Sequence, residues 1–319
     1  NLYSSYKYSW GEDNRAYLYD QAQLVNTLIQ NRDVVAQYIG KEKTQKIIQE
    51  IFDFFVNRCR IQKKLTKQEF QGFANAYNSI SSSIEEDKVH SGPNIFLARA
   101  ILEYTKKYND TQYIPLLDDL VKVILSAQYK GGIRYSPVKE FFRDDKKIHN
   151  PEYDVFATEH NLDAYDLFKE LEDYLNTHKA EGFSEVTVKE FTKEKNRPLQ
   201  EVLAFLKGEC WNKKEGRFNS GGRIVKGLLG IENFVPDTRF ATDTVSWAIK
   251  FIGVETLEKE FGIGTVEHLL EIVEQKAGIY GKDGNLIGFD FTDYRKLGRE
   301  PVISTEFTLQ MAEAYLKVR

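Results

Sequence analysis

Apolar residues recur along this chain at spacings of three and four, and period-two alternation is scarce, so the sequence predicts helices almost throughout. Two kinds of stretch take turns. One carries apolar residues on a single face: 41–58 (Ile47, Ile48, Ile51, Phe52, Phe55), 114–127 (Leu116, Leu117, Leu120, Val121, Ile124), 198–207 (Leu199, Val202, Leu203, Leu206) and 265–276 (Val266, Leu269, Leu270, Val273). The other is apolar on most sides and covers 16–30, 93–107, 159–175, 243–253 and 306–318. A helix without a polar side must be covered by its neighbours, whereas a striped helix keeps its back to solvent. The alternation therefore predicts an all-α fold of inner helices ringed by outer ones. The inner stretches start about 60–85 residues apart, a coarse repeat of helical hairpins. Longer loops rich in Gly, Trp, Tyr and acids precede the inner helices, which gathers these loops and the inner N-termini at one end. Segments 62–90 and 177–197 are the expected loops or insertions. No low-complexity linker cuts the chain, so 1–319 is expected to form a single domain.

Three inner stretches open with a threonine followed by an acid: Thr158-Glu159, Thr242-Asp243 and Thr305-Glu306. Taken singly, each is a plain helix start, with threonine as N-cap and the acid favoured by the helix dipole. Their repetition points further, since helices packed with their starts together gather three carboxylates. Their company is unusual as well. His160, Asn161 and Asp163 crowd around Glu159, and Trp247 lies one turn beyond Asp243.

Composition narrows the classes. A chain of 319 residues, 41% hydrophobic and with a formal net charge of −4, lacks the basic excess of a nucleic-acid binder. No apolar run approaches the roughly 20 residues of a membrane span. The histidines show no ligand spacing, Cys59 and Cys210 are far apart, and no phosphate-binding glycine loop occurs, so neither metal nor cofactor is expected. The two cysteines pair only if the fold brings them together. Gly131-Gly132 and Gly221-Gly222 read as tight turns, and RDDKK at 143–147 as a solvated turn. The chain opens on Asn1 and contains no signal segment; a secreted or periplasmic monomer is the expectation. The 18 Tyr, 21 Phe and 3 Trp supply core and also suit sugar-stacking platforms. The first loop, YKYSWGEDNRAYLYD at 6–20, sets Trp10, Glu12, Tyr19 and Asp20 in that pattern. Asp20 also suits a hydrogen-bonded tie between inner helices.

The segments YLYDQAQLVNTLI (17–29), SGPNIFLARAILEYTKKYND (91–110), ATEHNLDAYDLFKEL (157–171), ATDTVSWAIKFIG (241–253) and STEFTLQMAEAYL (304–316) follow in the order of successive inner helices. With them the chain resembles the six-hairpin glycosidase superfamily, (α/α)-toroid proteins that include many inverting glycoside hydrolases. TEHNLDAY is the most specific of these segments. The resemblance implies an (α/α)-toroid, incomplete in showing five inner helices, and an oligo- or polysaccharide substrate.

An inverting hydrolase needs a protonated acid at the leaving oxygen and a carboxylate activating water, roughly 6.5–9.5 Å apart. Packed helix axes lie roughly 8–10 Å apart, so acids on neighbouring helices suit that span. Glu159 is the expected general acid. Asp163, about 6 Å along the same helix face, would raise its pKa. Asp243 and Glu306 compete for the base. His160, Asn161, Asp163, Arg239 and Trp247 are the expected substrate contacts, with the polar loop GFDFTDYR at 288–295 as a cleft wall. A polysaccharide lyase using His160 or a tyrosine beside a uronate-binding Arg239, a sugar epimerase, and a non-catalytic glycan-binding or scaffold protein are the alternatives.

Overall fold

A computed structural model describes the chain apart from residues 1, 9, 10, 67, 68, 144, 145, 179, 228, 229 and 319, and gives only the backbone at 6–8, 11–13, 66, 142 and 143. Helices α1 (Leu18–Gln30), α2 (Arg32–Ile39), α3 (Lys41–Thr66), α4 (Ser91–Tyr108) and α5 (Ile114–Ser126) come first. They are followed by α6 (Thr158–Thr177), α7 (Glu185–Thr192), α8 (Pro198–Phe205), α9 (Asp243–Trp247), α10 (Val254–Phe261), α11 (Thr265–Ala277) and α12 (Thr305–Val318). Wider π turns extend α8 over Leu206–Cys210 and α9 over Ala248–Ile252.

Helices dominate, as the periodicity predicts, but many short antiparallel strands occupy the loops. They pair in sheets of two or three, the longest being Gly221–Lys226 against Glu232–Asp237. Strands of two or three residues are too short to show alternation, so the pattern missed them. Three eight-residue helices, α2, α7 and α10, also escaped it. Helix α7 lies inside the expected insertion 177–197 and is capped by Ser184, whose hydroxyl accepts from Thr187 N–H.

The chain divides into two compact units. The first holds residues 1–128, 135–153 and 169–197, the second 129–134, 154–168 and 198–319. In the first, α1 packs on α4 and α4 on α5. Helix α4 is covered nearly all round, with Ile95, Phe96, Leu97 and Ala98 consecutively buried, whereas α3 buries the stripe Ile48, Ile51, Phe52 and Phe55. In the second, α9 packs against α12 and α10 against α11. Helix α12 departs from expectation: it buries only Gln310, Met311 and Ala314 and leaves Leu309 and Leu316 exposed, because α9 and the hairpin 278–289 cover one face alone.

One construction recurs at the inner helix starts. The N–H of Leu18 donates to Asn75, of Ser91 to Tyr135, of Thr158 to Ser220 and of Thr242 to Phe291, each a carbonyl in the segment before the next inner helix. One turn on, a polar side chain grips the segment before its own helix. Gln21 bonds both the N–H and the C=O of Tyr3. Asn94 does so with Phe73, at 2.8 and 3.2 Å, and Asn161 with Ile133, at 2.7 and 3.1 Å. Thr308 accepts from Phe289 N–H. These grips satisfy backbone groups that burial would otherwise leave unpaired.

The glycine pairs differ from each other. Gly131 forms a turn at φ +90, as expected. Gly221-Gly222 is instead strand: a Cβ on Gly221 would stand 2.1 Å from Phe156 O, so only glycine lets the strands Val155–Ala157 and Gly221–Arg223 meet there. Of RDDKK, Arg143 pairs with Lys146 at the end of the hairpin Glu140–Arg143 with Lys146–His149, and residues 144 and 145 lie outside the described residues.

Candidate active site

Residues following the tied helix starts define the candidate site. Thr158 spends its hydroxyl on Asn219 O at 2.7 Å and Thr242 on Asp290 O at 2.6 Å, so neither acts as the expected N-cap. At α12 the N-cap role falls to Ser304, whose Oγ accepts from Phe307 N–H. Threonine here fastens helix to loop and leaves the next residue at the helix mouth. In the second unit that residue is Glu159 or Asp243, and Glu306 holds the matching place after Thr305 in α12.

The structure brings these acids together. Burial first, then the charges of Asp243, Asp163 and Glu306, push the Glu159 carboxyl well above the ordinary glutamate value. Burial also lifts Asp243 to about 6, opposed by a hydrogen bond from Thr244 N–H and assisted by the charge of Glu306. Asp243 Oδ1 is buried without a hydrogen-bond partner among the described residues. Desolvation and like charge thus act in the same direction, as for paired catalytic carboxylates. Asp163 itself is fully buried. Glu306 is more exposed, and its Oε1 accepts from Gln310 Nε2 at 3.1 Å. No group of three or more His, Cys, Asp or Glu among the described residues is arranged to hold a metal ion.

Other expected contacts fare differently. Trp247 is a core residue: 4% exposed, it stacks on Phe251 at 4.7 Å with Lys250 over its ring, and has no free face for a sugar. Asn161 is fully buried and both ends of its carboxamide hold backbone at Ile133 and Ala157, which makes it structural. Arg239 stands on the exposed surface forked onto Asp237, with Nε 2.9 and 3.0 Å from the two carboxylate oxygens. His160 is buried beside Glu159. Tyr19 and Asp20 belong to the first unit, where the Tyr19 ring meets Phe96 at 4.6 Å and its hydroxyl accepts from Gln23. Trp10 and the Glu12 side chain lie outside the described residues. Cys59 and Cys210 are separate, buried free thiols, each pushed up to about 12 by burial.

Pattern reading missed the anchor of the loop 288–302. Asp290 is fully buried, and burial alone would raise its pKa. Hydrogen bonds from both Arg299 nitrogens (2.6 and 2.9 Å), from Val302 N–H and from Thr292 N–H overcome that and hold it ionised. Ala241 bridges Thr292, and Thr292 Oγ1 donates to Phe240 O, so this loop is fastened to the start of α9 beside Asp243.

No protein-family profile matches the chain, and no curated protein matches it by sequence. Solved structures do. Cellobiose 2-epimerase from Bacillus thermoamylovorans aligns at 12% identity over 95% of this chain and 73% of its own, with a TM-score of 0.54. D-mannose isomerase aligns at 12% over 97% and 72%, TM-score 0.55. A family 76 glycoside hydrolase from a bovine Bacteroides thetaiotaomicron strain aligns at 10% over 99% and 58%, TM-score 0.57. At these identities the likeness is one of fold alone, the helical fold these sugar-acting enzymes share.

Proposed function

We propose that this chain is a carbohydrate-active enzyme, an inverting glycoside hydrolase with Glu159 as general acid and a carboxylate of the same cluster, Asp243 or Glu306, as base. One observation carries the reading: Glu159 stands among Asp163, Asp243 and Glu306, and desolvation together with those charges pushes its carboxyl well above the ordinary glutamate value. A protonated acid beside a second carboxylate is what departure of a sugar oxygen and activation of water require. The likeness in fold to a family 76 glycoside hydrolase supports it. In this reading the whole chain forms a single toroid domain with an oligo- or polysaccharide substrate.

The second reading is a sugar epimerase, favoured by the likeness to cellobiose 2-epimerase and by His160 beside Glu159. Proton transfer at a sugar carbon would then replace attack by water. A screen against oligo- and polysaccharides, read by product mass and anomeric configuration, separates the two. Products that have gained water, with inverted configuration, support hydrolysis. A stereoisomer of unchanged mass supports epimerisation, and no turnover on any glycan overturns both.

A further inference from the structure

Helix α2 buries none of its residues, although it packs on α3 and touches α1. It borders instead a cavity of about 220 Å³ in the first unit, lined by Arg32 and Asp33 of α2, Lys41, Thr44 and Gln45 of α3, and Tyr108 of α4. Tyr108 ends α4, about 25 Å along that helix from its tied start at Ser91, so the cavity is separate from the helix mouths of this unit.

Its lining is rich in donors short of acceptors. Of the five N–H groups of Arg32, the described residues satisfy one, through Nη1 to the Lys107 carbonyl at 3.1 Å. Arg32 Nε is buried without a hydrogen-bond partner among the described residues, and Asp33 Oδ1 stands 3.7 Å away. Lys41 has neither a hydrogen bond nor an ion pair among them. It also opens α3, a 26-residue helix whose first-turn N–H groups add to the positive field. The guanidinium is held in place: its carbon lies 5.9 Å from the centre of the Tyr108 ring, which itself stacks on Tyr104 at 4.7 Å. Asp33 offsets one of the two cations, so a single positive charge remains in excess. Acceptors complete the lining. Thr44 donates its hydroxyl to Gly40 O at 2.9 Å and Gln45 its Nε2 to the Tyr104 hydroxyl at 3.1 Å, which leaves Thr44 Oγ1 and Gln45 Oε1 to accept.

We propose that this cavity binds a small hydroxylated monocarboxylate of the sugar-acid class, with Arg32 and Lys41 taking the carboxylate and Thr44 and Gln45 accepting from its hydroxyls. Charge selects a monoanion, because a dianion such as phosphate would bring surplus negative charge beside Asp33. The volume lies below the roughly 300–1,000 Å³ of pockets for drug-sized ligands, which limits the occupant to about one sugar unit. Binding ties α2 to α3 and to the end of α4, and it supplies the acceptors that Arg32 lacks. The site does not depend on the reaction assigned to the acid cluster.

Isothermal titration of the full chain with D-glucuronate tests the proposal, with D-glucose and inorganic phosphate as comparisons. The wild type should bind glucuronate with a dissociation constant of about 1 mM, ordinary for a ligand of this size. Glucose lacks the carboxylate, and phosphate lacks the hydroxyls and carries extra charge, so each should bind at least about tenfold more weakly. Lys41→Met should weaken glucuronate about tenfold, the scale of one hydrogen bond between charged groups, and Lys41→Arg should restore it. Lys41 is exposed, so both variants should keep the wild-type circular dichroism. Arg32→Met should weaken glucuronate at least as much as Lys41→Met. Absence of binding up to about 20 mM glucuronate overturns the proposal. So does an affinity that Lys41→Met leaves unchanged, since the ligand would then be bound elsewhere. Glucose or phosphate binding as tightly as glucuronate overturns the assigned chemistry.

Discussion

In the first unit the residue after the tied helix start is Tyr19 in α1 and Gly92 in α4; in the second it is Glu159 in α6 and Asp243 in α9, with Glu306 matching them in α12. Helices α1, α4 and α6 share a forward backbone tie and, one turn on, a polar grip, while α9 shows the tie and α12 the grip. Asp118 and Glu152 of the first unit lie where donors surround them. Burial would raise the pKa of Asp118, but Lys122, Thr187 and Ser184 overcome it, and Glu152 is likewise held low, against burial, by Lys88 and His90. In the second unit, acids at the helix mouths meet other acids. A buried carboxylate ringed by donors strengthens the fold, whereas one ringed by carboxylates costs stability and gains a usable proton.

The largest expected effect tests the chemical half of that contrast. Glu159→Gln should lower turnover on a substrate found in the glycan screen by about 10²–10⁴-fold while preserving the fold, since an amide cannot protonate a leaving oxygen. Near-normal turnover would reduce Glu159 to a helix-start residue and make the two units alike.

The shared half is tested by the grips. Asn94→Ala and Asn161→Ala should each destabilise by about 2–4 kcal/mol, because each strands a buried backbone N–H and C=O. Denaturant melts of the two variants should therefore agree. A large loss for one and none for the other would show that the repeated construction does not have the same role in both units.

Titration sharpens the contrast through its sign. Asp243 rises on folding from 3.8 to about 6, so the folded state binds the proton more tightly and stability falls as pH rises between those values. Asp243→Asn should then stabilise the protein at pH 7 by on the order of 1–3 kcal/mol, with the gain vanishing by about pH 4. Asp118 is lowered on folding, so it stabilises at neutral pH and loses that effect as acid protonates it. Asp118→Asn should destabilise at pH 7 and converge with the wild type in acid. Melts across this range showing the same sign for both would break the comparison.

The smallest effect concerns Trp247. With its ring packed on Phe251, Trp247→Phe should leave glycan affinity within about twofold, as isothermal titration would read. A tenfold loss would restore it to the sugar-binding surface.

Much of this was legible in the chain. The stripe at Ile48, Ile51, Phe52 and Phe55 and the covered run Ile95–Ala98 distinguished outer from inner helix, because burial imposes period and composition locally. The three Thr-acid pairs marked the acidic helix starts for the same local reason. Other parts were decided only in three dimensions. Asn161 reads like a substrate contact, yet it grips Ile133, 28 positions earlier. Trp247 lies one turn from Asp243 and still points into the core. Asp290 looked like part of a polar cleft wall until Arg299 closed on it. The sequence by itself determined helix faces, helix starts and the presence of four acids. Tertiary structure decided which acids share an environment, since a carboxylate's charge state depends on neighbours brought from distant segments and on water excluded around it.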